Sequence, residues 1–157
     1  MTTEERQLVR DLTPLDRETL ERLCRVHQSS PIGMTTGMRL GFDDEGSAIV
    51  HWQHNRDFDH ALHEVHGGLI ATMLDTAGWF TAAAAHGGWV MSTDFQVRLL
   101  QGTKDENLRA RGRLLKFSRR LTIVGMDVWS ETGEHVATGN GAFTPTGWPF
   151  PPPEVPG

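Results

Sequence analysis

The chain has 157 residues, with 20 acidic and 15 basic side chains, a formal charge of -5 and eight His. One domain with a real core fits that length, and the acidic balance argues against a phosphate-backbone partner, so no nucleic acid is expected. The lone cysteine, Cys24, cannot form an internal disulfide. The opening MTTEERQLVRDL has neither a basic nor an apolar signal region. The low-charge stretch from Val65 to Thr93 is broken by Asp75, several Thr and Gly pairs, which makes a poor membrane span. The expected location is the cytoplasm, with no membrane partner.

Residues 3–28 carry Leu8, Leu12, Leu15, Leu20 and Leu23 among charges, and Thr13-Pro14 offers an N-cap followed by Pro at the first helical position. This predicts an amphipathic helical segment, broken near Thr13. SSPIG (29–33) reads as a linker. MTTGMRLGFDDEGSAIVHWQH then reads as a hairpin turning at Asp43 to Gly46, followed by a His-rich loop and a helix from about Gly68 to Ala85 that stops at HGG.

The remainder reads as a strand meander. Phe95, Val97 and Leu99 alternate with Asp94, Gln96 and Arg98, and Leu108, Ala110, Gly112 and Leu114 alternate with three Arg, giving each strand one wet face. Two more strands turn at Thr132-Gly133-Glu134, and Ala137, Gly139, Gly141 and Phe143 share a face small enough for a helix to lie close. PTGWPFPPPEVPG is a Pro-rich, extended tail. One long helix among about six antiparallel strands predicts an α+β domain with a curved sheet around a central helix.

At 100° per residue, Leu69, Ile70, Met73, Leu74, Ala77 and Phe80 share one face of that helix. Asp75 lies nearly opposite, among Ala71, Thr72, Trp79 and Ala82. A small, apolar second face calls for a covering partner, here a second chain. Asp75 is then either an exposed residue at the rim of that contact or a partly desolvated carboxylate held for chemistry. His66-Gly67-Gly68 stands before the helix, placing backbone N–H groups at its positive end, where an oxyanion can bind; the commoner meaning of a Gly pair is a tight loop.

His66-Gly67-Gly68, with Asp75 nine residues after the His in LDTA, resembles the hot-dog-fold acyl-CoA thioesterases of the phenylacetate-pathway (PaaI-type) branch. STDFQVRLL, GRLLKFSRRL and GEHVATGNGAF support the resemblance, which runs from about Pro31 to Pro145. With it the chain divides into the helical segment over 1–30, a hot-dog domain over 31–145 and the tail over 146–157. The resemblance implies an acyl-CoA thioesterase with no cofactor, acting as a homodimer, as a dimer of dimers, with its site at the subunit interface. Gly68 would polarise the thioester carbonyl through its N–H, and Asp75 would act as nucleophile or general base, two roles left open. Ser92 would orient the water and His66 would brace the loop. Gly67 would line the CoA side, and Lys116, Ser118, Arg119 and Arg120 would meet the CoA phosphates, although a solvated turn explains those four nearly as well. The family usually has Asn six residues and Gly three residues before this His. Here those positions hold His60 and His63, so His60 becomes a titratable candidate.

Three other readings stand beside this one. His51, His54, His60, His63 and His66 fall within sixteen residues, but their spacing matches no zinc signature, and no metal is expected. An acyl-CoA sensor that binds without turnover is the alternative function. Hot-dog dehydratases and hydratases pair a His with a carboxylate, but their motif order is absent here.

Overall fold

A computed structural model describes residues 17–149, with side chains to 148. Helix α1 spans Arg17–Ser29, α2 Pro31–Thr36 and α3 Gly67–His86. The strands are β1 (Arg39–Phe42), β2 (Ala48–Trp52), β3 (Gly88–Leu99), β4 (Leu108–Phe117), β5 (Thr122–Ser130) and β6 (His135–Pro149), and a 3-10 turn covers Arg56–Phe58. All six strands form one antiparallel sheet in the order β1-β2-β4-β5-β6-β3. This is the hot-dog architecture, a six-stranded sheet packed on one central helix.

Within α1, Leu23 and His27 point into the core. The expected break at Thr13-Pro14 lies outside the described residues. SSPIG is not a linker: the Ser30 side chain accepts the Gly33 N–H, Pro31 opens α2, and Gly37 closes it in the left-handed conformation at φ 72°. The stretch expected to begin the first strand is therefore partly helical. Its Thr36 carbonyl accepts the Nε1–H of Trp52 at 3.0 Å, tying α2 to the core.

Helix α3 starts one residue before the expected bound and ends one after it. His66 caps its N-terminus, and Gly87, at φ 64°, returns its N–H to the Ala83 carbonyl. The six residues of the expected core face are all buried. On the other face Ala71, Thr72, Asp75 and Trp79 are half-buried. Ala82 is fully buried, so this chain covers more of that face than the wheel suggested. The covering comes from β3: the Trp79 ring packs on Trp89, and its Nε1–H bonds to the Val90 carbonyl at 2.9 Å.

Close approach of helix and sheet is carried by Gly112 and Gly78. A Cβ on Gly112 would overlap the Thr81 side chain and the Ala77 carbonyl, and one on Gly78 would overlap Met126 and Phe143. Gly139, expected to serve this purpose, instead faces the Gln96 carbonyl of β3, and Gly141 faces Phe143 and Phe95. The tail begins later than expected, because β6 continues to Pro149 and pairs with the start of β3, Val90 against Pro145 and Gly88 against Pro149. Thr146 adds a bond from its Oγ1 to the Trp89 carbonyl at 2.9 Å. The rest of the tail lies outside the described residues.

Strand β3 departs most from its pattern. It is an edge strand, and the apolar residues expected on a dry face are exposed: Phe95 by 42% and Leu99 by 54%, beside Met91 at 58% and Leu100 at 49%. A twelve-residue edge strand with three exposed apolar side chains, and a fourth, Leu100, just beyond its end, is an unusually apolar exposed edge.

Candidate functional site

Asp75 sits midway along α3, on the side that β3 approaches. Ser92, seventeen residues away, donates its Oγ–H to Asp75 Oδ1 at 2.9 Å. Ser92 lies at a β-bulge between the Ser92 and Asp94 pairings, where the register shifts; bulges commonly re-aim side chains in this way. Among the described residues no cation pairs with Asp75. Burial pushes its carboxyl above the usual Asp range, and the Ser92 hydrogen bond opposes that rise. The result is a half-buried carboxylate with Oδ1 engaged by Ser92 and no hydrogen bond to Oδ2 among the described residues.

His66 Nδ1 accepts the Gly68 N–H at 2.9 Å. His66 thus engages the very donor that the resemblance assigns to the carbonyl oxygen. Gly68 and His66 border a cleft of about 280 Å³ with Ile32, Thr36, Asp57, Phe58, Asp59, Leu69 and Thr72. Gly67 is packed beneath the Leu99 side chain, where a Cβ would collide with Leu99 Cδ1 at 2.6 Å. Gly68 and Asp75 are seven residues apart on α3, about 10 Å along the axis at 1.5 Å per residue.

His60 does not join these groups. Its Nδ1 accepts the Leu62 N–H at 3.1 Å and its Nε2 lies 3.7 Å from Glu64, so it closes a local turn outside the cleft. His63, in the position where glycine was expected by resemblance, adopts φ 60°, a left-handed conformation that suits glycine best.

The basic stretch is dispersed as well. Ser118 is committed to the β4–β5 turn, with its Oγ donating to the Leu121 carbonyl and accepting the Leu121 N–H. Lys116, Arg119 and Arg120 are exposed. The turn lies near the C-terminal end of α3, where His86 Nε2 is 2.7 Å from Thr122 Oγ1 and the His86 ring packs on Phe117. Gly68 is at the other end, roughly 27 Å away along the helix at 1.5 Å per residue. Within one chain these residues and Gly68 do not form a single site.

Sequence reasoning missed the cleft's far wall, formed by Ile32, Thr36, Asp57, Phe58 and Asp59. The SP pair before Ile32 was the available signal for α2. Among the described residues, no group of three or more His, Cys, Asp or Glu side chains converges to hold a metal ion.

Residues 63–137 match the model of the thioesterase superfamily. The fold superposes on a protein from that superfamily with 25% identity and a TM-score of 0.75, covering 81% of this chain and 98% of the other. It also superposes on the Escherichia coli PaaI protein of the phenylacetic acid degradation operon, at 16% identity and TM-score 0.78, covering 85% and 96%. A thioesterase from Haemophilus influenzae aligns at 16% identity and TM-score 0.73, covering 80% and 88%. No curated protein matches. The chain therefore has the hot-dog fold, and its residues 63–137 match the thioesterase superfamily.

Proposed function

We infer that the protein is a thioester hydrolase that cleaves an acyl-CoA to the free acid and CoA. The observation carrying this reading is the uncompensated, half-buried Asp75 carboxylate held by Ser92. Its free oxygen either takes the proton of an attacking water or attacks the carbonyl carbon itself. The thioester carbonyl oxygen takes over the Gly68 N–H from His66 Nδ1, and the helix N-terminus then stabilises the developing negative charge.

The acting unit is a homodimer joined along the β3 edge, where the exposed Met91, Phe95, Leu99 and Leu100 become covered. Each site then combines Gly68 of one protomer with Asp75 of its partner. In that arrangement the partner's β4–β5 turn supplies the Arg residues for the CoA phosphates.

The test is Asp75→Asn, which preserves shape and removes the base or nucleophile. Turnover of acyl-CoA falls about a hundredfold or more while substrate affinity is nearly kept. Near-wild-type turnover would mean that Asp75 is not the reacting group. A wild-type protein that binds acyl-CoA and never hydrolyses it is instead a sensor.

A further inference from the structure

The cleft that begins at His66 and Gly68 is lined by two acidic residues, the exposed Asp57 and the half-buried Asp59, and by no Lys or Arg. Its remaining walls are Phe58, Leu69 and Ile32, with Thr36 and Thr72. The Thr36 and Thr72 hydroxyls are already spent on the backbone, donating to the Ile32 and Gly68 carbonyls. Asp59 is also spent: its side chain is 8% exposed and its Oδ1 lies 3.1 Å from His54 Nε2. Asp57 differs. Its backbone N–H is held by Asn55 Oδ1 at 3.0 Å, which fixes the start of the 3-10 turn. Its carboxylate has no ion-pair partner among the described residues, and the neighbouring Arg56 turns to Asp105 at 3.5 Å.

Such a cleft suits one end of the substrate only. The CoA portion carries phosphates, which a cleft bordered by the unpaired Asp57 carboxylate and by no lining cation disfavours. The acyl group can enter, and it has to be compact, because the volume is below the roughly 300–1,000 Å³ of pockets for drug-sized ligands. We propose that this cleft receives the acyl group and that Asp57 acts there as a charge filter, admitting neutral and cationic acyl groups and rejecting those that end in a carboxylate. The proposal rests on the thioesterase reading for its chemistry and on the cleft alone for its selectivity.

The test compares three CoA thioesters that differ only at the far end of a rigid ring: 4-carboxybenzoyl, benzoyl and 4-(aminomethyl)benzoyl. The rigid ring keeps the charged group from reaching back to the thioester. In the wild-type protein kcat/KM rises from the anionic to the neutral to the cationic ring, each step about tenfold, since like charges brought together in a binding site are strongly disfavoured. Asp57→Asn keeps the backbone cap and raises the 4-carboxybenzoyl rate about tenfold relative to benzoyl, and added salt compresses the wild-type order. An unchanged ratio in Asp57→Asn overturns the proposal. So does an equal change for all three substrates, which would place the pantetheine arm in the cleft. If the wild-type protein hydrolyses none of them, the thioesterase reading fails, and the dissociation constants of the corresponding S-benzyl-CoA thioethers decide the filter by the same ordering. Failure of all three thioethers to bind overturns both.

Discussion

Ser92 and Asp75 meet through a 2.9 Å hydrogen bond that joins the middle of helix α3 to the edge strand β3. The bond favours the ionised carboxylate, while burial favours the protonated one, and burial has the larger effect.

That balance sets a pH dependence. If the reacting form is the carboxylate, kcat falls as pH drops through a value above the 3.8 of an ordinary Asp. Ser92→Ala removes the opposing hydrogen bond, so the acid limb moves to still higher pH. Stability runs the other way. A raised carboxyl pKa contributes stability that is complete below the unfolded value and is lost as pH rises through the folded value. Asp75→Asn abolishes that decline. The kcat–pH profiles of wild type and Ser92→Ala, beside denaturation at several pH values, check both signs; an acid limb that stays put or moves down in Ser92→Ala excludes the role given to this pair.

The division of the site between protomers is tested by mixing two inactive variants. Asp75→Asn lacks the reacting carboxylate, and Gly68→Pro lacks the N–H in the first helical turn, where Pro is tolerated. In a mixed dimer, one interface site inherits both lesions and the other neither. Random reassociation restores roughly a quarter of wild-type activity when half the dimers are mixed. If mass spectrometry shows mixed dimers, Gly68→Pro alone is folded and no activity returns, the site lies within one chain.

His63 offers a test of backbone strain away from the reacting groups. Its φ of 60° costs an L-residue about 1–2 kcal/mol. Its side chain is exposed and makes no hydrogen bond among the described residues, so glycine loses nothing there. After allowance for the larger unfolded-state entropy of glycine, His63→Gly stabilises the fold by about 0.5–1 kcal/mol. For a chain of this size that is a rise of about 1–4 °C in Tm. His63→Ala keeps the strain and gives no such rise. Equal melting temperatures for the two variants would show that the loop stores no strain at this position.

Much of this protein was legible in the residues. The 3.6-residue period of Leu69, Ile70, Met73, Leu74, Ala77 and Phe80 set the buried face of α3, and the HGG segments at both ends set its limits, because helix periodicity and capping are local properties. Asp75 stood out for the same reason, as a charge in an apolar helix. What the residues did not determine was strand order. Phe95, Val97 and Leu99 alternate like any half-buried strand, and only the sheet places β3 at an edge, where that alternation leaves Phe95 and Leu99 exposed. The Ser92–Asp75 bond, the commitment of Ser118 to its turn and the approach of Asp57 to the α3 N-terminus depend likewise on contacts between separate elements. Local periodicity specifies which face of an element is apolar; the element that meets that face is chosen by packing of the whole chain.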